Sequence, residues 1–144
     1  MKKNSVFSLV SVAAFGAVAA LASPGFAQDS SFNLELNTAR EVNGGCRLTY
    51  VATNNMGVEL EAASYEVAVF DKDGAVSRLL ILEFGKLPVN KTKVVQFDLA
   101  EDSCGNISRL LVNSVAECST AGGAQEGCME ALATSSRTDI AFGL

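Results

Sequence analysis

The chain of 144 residues contains no histidine and no tryptophan, and only two prolines. Histidine titrates nearest neutral pH and is the commonest metal ligand, so its absence removes Ser-His and Cys-His nucleophiles and most zinc and copper sites. No Cys-x-x-Cys pair occurs, which leaves thiol–disulfide exchange without its usual reactive dithiol. Positive charge is scarce and scattered: 11 lysines and arginines stand against 16 acids, a formal charge of −5. Nucleic acids and anionic membrane surfaces both require clustered cations to displace counterions, so neither is expected as a partner.

What is present begins with an export pattern. Lys2 and Lys3 precede an apolar run from Val6 to Ala22, and Ser23-Pro24-Gly25-Phe26-Ala27 comes directly after it. A positive start, a short apolar stretch and small residues at Gly25 and Ala27 are the parts of a bacterial Sec-type signal peptide, with cleavage expected before Gln28. The apolar stretch is short for a membrane span of roughly 20 residues, so no stable anchor is expected after cleavage. Taking residues 1–27 from 144 leaves 117, and the loss of Lys2 and Lys3 moves the formal charge from −5 to −7. The remainder, 28–144, is the length of a single domain, and its expected address is periplasmic or extracellular.

The mature chain reads as strands separated by turn residues. Phe32-Asn33-Leu34-Glu35-Leu36-Asn37 alternates apolar and polar, the period of a half-buried strand. Cys46 to Thr53 is the next strand, with Cys46, Leu48, Tyr50 and Ala52 on one face. Tyr65 to Phe84 is a β-hairpin: two apolar, β-branched and aromatic segments flank Asp71-Lys72-Asp73-Gly74, whose glycine supplies the positive φ of a tight reversal. Val58 to Ser64 fits either an edge strand or a single helical turn. Gly85 to Lys91 is a connection, because Pro88 cannot donate to a ladder. Thr92 to Leu99 is a strand, Ala100 to Asn106 a turn carrying Cys104, and Ile107 to Cys118 a long apolar strand. Ser119 to Gly123 reads as a loop, Gln125 to Ala133 as a short helix, and Thr138 to Phe142 as a final strand.

About seven strands at spacings of roughly 8–12 residues predict an all-β fold, an immunoglobulin-like antiparallel β-sandwich with a short C-terminal helix or loop segment. The four cysteines, Cys46, Cys104, Cys118 and Cys128, form an even set in an exported chain, which favours disulfides. Four cysteines allow three pairings. Alternating strand direction separates them: Cys46 and Cys104 fall at one end of the fold, Cys118 at the other beside the loop that holds Cys128. The predicted bridges are therefore Cys46–Cys104 and Cys118–Cys128.

Three stretches carry a resemblance: Asn54 or Asn55, then Tyr65-Glu66-Val67-Ala68-Val69-Phe70-Asp71-Lys72-Asp73-Gly74, then Lys91-Thr92-Lys93-Val94-Val95-Gln96-Phe97. Over roughly half of the mature domain the chain resembles the FxLYD-type Ig-like modules of bacterial envelope proteins. The resemblance implies a fold and an extracytoplasmic address more than an activity.

Candidate chemistry is thin. Asp71-Lys72-Asp73-Gly74 opens like a calcium loop, but the twelfth position, where a glutamate is needed, is Leu82. Glu59, Glu61 and Glu66 lie close in sequence, yet acid/base work needs two carboxylates held across a pocket, and a solvated strand face accounts for them. No catalytic residue, metal ligand or cofactor is assigned. The run Leu79-Leu80-Ile81-Leu82 is more informative. A strand packed on one face alternates, whereas here both faces are apolar, so either the C-terminal segment covers the second face or a partner does. The expected function is a non-enzymatic module acting by protein–protein interaction with an unidentified protein or with further copies of itself. The alternatives are a fimbrial or surface-assembly subunit that exchanges strands and an envelope enzyme using carboxylates alone.

Overall fold

Residues 30–144 are described by a computed structural model; the expected signal segment 1–27 and the cleavage expected before Gln28 lie outside the described residues. Among the described residues nine strands account for most of the length: β1 (Ser31–Val42), β2 (Gly45–Asn55), β3 (Ala62–Asp71), β4 (Val76–Glu83), β5 (Thr92–Leu99), β6 (Ile107–Thr120), β7 (Gly123–Ala124), β8 (Leu132–Ser136) and β9 (Ala141–Gly143). A single 3₁₀ turn, Cys104–Asn106, separates β5 from β6. One sheet has the order β5-β2-β1-β8; the other has β4-β3-β6-β7, with β9 also paired to β6. The two sheets pack face to face as a β-sandwich.

The hairpins arise from local chemistry. Between β1 and β2, Asn43 (φ 44°) and Gly44 (φ 79°) both take positive φ, the requirement of the two-residue turn whose twist matches that of the strands. Between β3 and β4, Gly74 has φ 81°, and the Asp71 carboxylate accepts from the backbone N–H groups of Asp73 and Ala75, both at 2.9 Å. The acid that would open a calcium loop is thus spent on its own turn.

Inward positions build one core. Phe32, Leu34 and Leu36 of β1, Leu48, Tyr50 and Ala52 of β2, and Tyr65, Val67 and Val69 of β3 are all buried. Six aromatic rings interlock through it: Phe32 stacks on Tyr65 at 5.8 Å, and Tyr50 meets Phe84, Phe97 and Phe142 edge-on at 5.7, 5.9 and 5.2 Å. Such contacts contribute about 0.5–1.5 kcal/mol each beyond the area they bury. Asn54 is also fully buried. Its amide donates to the carbonyls of Val58 and Leu87, and its side-chain carbonyl accepts from the backbone N–H of Met56, so one side chain closes the β2–β3 connection against the Pro88 segment.

Three expectations are corrected. The sheets are mixed and not purely antiparallel, because β8 runs parallel to β1 and β9 parallel to β6. Gln125 to Ala133 forms no helix: Cys128 is tied to Cys118, and the chain must reach Leu132 opposite Phe32, which leaves room only for turns. The final strand, expected at Thr138 to Phe142, is confined to Ala141–Gly143, and an unexpected strand, β8 at Leu132–Ser136, precedes it. The ambiguous segment Val58 to Ser64 resolves as a single bridge, Leu60 to Leu87, followed by the first residues of β3 from Ala62.

Candidate functional site

β4 lies at the edge of its sheet, paired with β3 on one side only. Its inward residues Leu80 and Leu82 join the core; its outward residues Leu79 and Ile81 are 58% and 47% exposed. The run Leu79 to Leu82 is therefore divided between the two faces. The C-terminal segment does not cover the outward pair. It adds β9 beside β6, extending the sheet sideways and leaving its outer face open.

Ladder pairing defines that face in rows, since residues directly opposite point the same way. At its centre Leu79 stands beside Ala68, and Ala68 beside Leu111. One row toward the β3–β4 turn, Val76 (53% exposed), Phe70 and Arg109 lie side by side. Arg109 rests its guanidinium 5.6 Å from the Phe70 ring centre. In the other direction come Ile81 with Glu66, then Glu83 with Ser64 and Glu117. The face is apolar in the middle, basic at one end and acidic at the other. Among the described residues Arg109 pairs with no acidic side chain, and neither Glu83 nor Glu117 pairs with a basic one.

Sequence reasoning found Leu79 and Ile81 and the similarly two-sided apolar run Ile107 to Val112, which holds Arg109 and Leu111, but it missed Ala68 and Phe70 and did not place these residues on one face. The obstacle is β6. Its inward residues are Ile107, Leu110, Val112, Val115 and Cys118, a spacing of three, two, three and three, because bulges interrupt its pairing with β3. Each bulge adds a residue and turns the succeeding side chains to the opposite face. Spacings of three within an extended run were the available signal.

The edges on the open side of the sandwich are guarded. Arg78 of β4 reaches across to Asp102 (2.8 Å) and the carbonyl of Ala100 (3.2 Å). Lys93 of β5 reaches back to the carbonyl of Phe84 at 2.7 Å. Inward-pointing charges of this kind discourage a foreign strand from adding to an edge.

The remaining candidates do not assemble into a reaction centre. Glu59 and Glu61 both accept from the Lys86 ammonium, at 2.8 and 2.9 Å, on the surface. Those hydrogen bonds, Glu59 first, hold the Lys86 ammonium above its usual range, and the same contact holds the Glu59 carboxyl below its own. Glu66 is on the outer sheet face, where it accepts from Asn113. A cleft of about 620 Å³, open to solvent, lies where the β1 bulge at Asn37 meets the β8–β9 loop. Asp139 is its one acid, beside Arg137 and the Cys104 end of a disulfide, so no pair of carboxylates faces across it. No cluster of three or more metal-ligating side chains occurs among the described residues.

Both bridges are formed as expected: Cys46–Cys104, with Cα atoms 4.8 Å apart, and Cys118–Cys128, with Cα atoms 6.5 Å apart. Two disulfides fit an oxidising, non-cytoplasmic environment. No helix among the described residues is long and apolar enough to cross a membrane. Compared with protein-family models, curated proteins and solved structures, the chain matches none of them.

Proposed function

We propose that this protein is a secreted, non-enzymatic module of the Ig-like kind, exported to the bacterial periplasm or exterior, that acts by docking another protein on the outer face of the β4-β3-β6 sheet. The observation that supports it is the exposure of Leu79 (58%), Ile81 (47%) and Val76 (53%) on one strand, contiguous with Phe70 and Leu111. Single exposed apolar residues are ordinary, but a contiguous group on a flat sheet face marks an interaction site. The bipartite leader in the sequence and the two disulfides support the address.

A strand-exchange subunit would leave a terminal strand without a partner in its own chain. Here β1 pairs with β2 and β8, and β9 pairs with β6, so no observation favours that reading. The experiment is photo-crosslinking in the native envelope, with a benzophenone amino acid in place of Leu79 and, as control, in place of Gln96 on the other sheet. Adducts are expected from position 79 and not from 96. Their absence at 79 with the folded protein present refutes the docking face.

A further inference from the structure

β1 runs from Ser31 to Val42, but β8 pairs with it only from Phe32 to Leu36. The register shifts at the bulge that follows Leu36, and the chain leaves β1 at Arg137, whose N–H gives a last bond to the Leu36 carbonyl at 2.9 Å. Farther along, the 3₁₀ turn at Cys104 closes over the end of β1. It is held there by the Glu41 carboxylate, which accepts from the Cys104 N–H at 2.7 Å, and by the Cys46–Cys104 bridge. Between these two stops Asn37 to Arg40 has no neighbouring strand on that side, a slot of about 13 Å at about 3.3 Å per residue. The cleft of about 620 Å³ lies along it, a volume ordinary for a ligand site.

The backbone facing the slot is open. Val42 and Gly45 flank a two-residue turn and so exchange hydrogen bonds, and along an antiparallel pair every second residue does the same. Arg40 and Thr38 therefore bond to β2, while the Ala39 N–H and C=O point away from it. Among the described residues neither has a backbone partner on the slot side. A donor and an acceptor set side by side on an extended strand match another extended backbone. We infer that an extended segment of a partner protein adds there as a strand beside β1, with an apolar residue turned inward opposite Ala39 and an acidic residue turned outward opposite Arg40.

The rows of the sheet set those side chains, since residues directly opposite point the same way. Ala39 shares its row with buried Leu48 and faces inward, where Ile107 and Ile140 form the apolar floor of the cleft. Arg40 faces outward beside Arg47. Arg47 is paired with Asp98 at 2.6 Å, whereas exposed Arg40 has no acidic partner among the described residues. At the other end Arg137 and Asp139 both line the cleft, so that end favours neither sign and Arg40 supplies the selecting charge. The β4 and β5 edges carry Arg78 and Lys93 turned inward against an added strand; the inward residue of this slot is an alanine and deters none. The site is separate from the outer face of the β4-β3-β6 sheet and does not depend on it.

The test uses the mature protein and the peptide acetyl-Thr-Glu-Val-Glu-Thr-amide, whose symmetry makes the direction of addition immaterial, against the same peptide with lysines for glutamates. Calorimetry is expected to show saturable binding of the acidic peptide below about 1 mM, and binding of the lysine peptide at least about tenfold weaker. Arg40→Glu should reverse that order and Arg40→Lys should keep it, with circular dichroism checking that both variants are folded. In amide hydrogen exchange followed by NMR, the acidic peptide should slow the Ala39 N–H at least about tenfold. No saturable binding up to about 1 mM overturns the inference, as does an order of the two peptides that Arg40→Glu leaves unchanged. Binding that follows charge while Ala39 exchanges as fast as before is a surface ion contact only, and it overturns the added strand. None of these failures touches the crosslinking result at position 79, so the two sites stand or fall separately.

Discussion

Removing one oxygen from each of the two tyrosines tests the packing logic of this core, because the structure assigns the two changes opposite signs. Tyr50 and Tyr65 are 0% and 1% exposed. The Tyr65 hydroxyl donates to the carbonyl of Cys128 at 3.1 Å, whereas the Tyr50 hydroxyl, set among Phe84, Phe97 and Phe142, has no hydrogen-bond partner among the described residues. In Tyr65→Phe the bond is lost and a buried carbonyl is orphaned, a destabilisation of about 1–3 kcal/mol. In Tyr50→Phe an unsatisfied hydroxyl disappears. That recovers about 1–3 kcal/mol of desolvation, less a few tenths for the oxygen-sized void, so a net gain of about 1 kcal/mol is expected. For a domain of this size 1 kcal/mol moves Tm by about 4 °C. Thermal and urea unfolding followed by circular dichroism should therefore place Tyr50→Phe above wild type and Tyr65→Phe below it. Two variants shifted in the same direction would refute the assignment of the hydroxyls.

The same burial raises both phenol pKa values above the ordinary range. The unfolded chain then loses its phenolic protons first, so stability is intact below about pH 10 and declines above it by about 1.4 kcal/mol per pH unit for each tyrosine. Tyrosinate absorbance should rise together with loss of the circular dichroism signal; a rise near pH 10 with the fold intact would contradict this. Gly45→Ala should cost more than about 2 kcal/mol, because the new Cβ is driven into the Leu99 carbonyl. Gly44→Ala, which meets nothing within 4 Å but has φ +79°, should cost only about 1 kcal/mol; chemical denaturation compares the two. Replacing the Cys46–Cys104 pair by alanines, which opens a separation of 58 residues, should cost about 4 kcal/mol, and replacing Cys118–Cys128, separated by 10, about 3. Urea midpoints in the reverse order would show that native-state packing, not loop entropy, dominates.

Features that repeat with a short period are written in the order of the amino acids alone. Strict alternation over Phe32–Leu36 and Cys46–Ala52 placed those side chains inward, Asp71–Gly74 placed the hairpin, and the order of strand directions paired the cysteines. These features depend on neighbours two residues apart or on a single turn, and the chain carries that information locally. Contacts between distant parts of the chain set the rest. The bulges in β6 shift its inward face by long-range pairing with β3, the parallel partners β8 and β9 lie far along the chain from β1 and β6, and Gln125–Ala133 gives up its helix preference to a disulfide and a distant strand. The candidate surface divides in the same way. Leu79 and Ile81 were legible as excess apolar residues on one strand. That they share a face with Phe70, Leu111 and Arg109 depends on the register of three strands, and register is fixed by the buried side of the sheet, not by the residues on display.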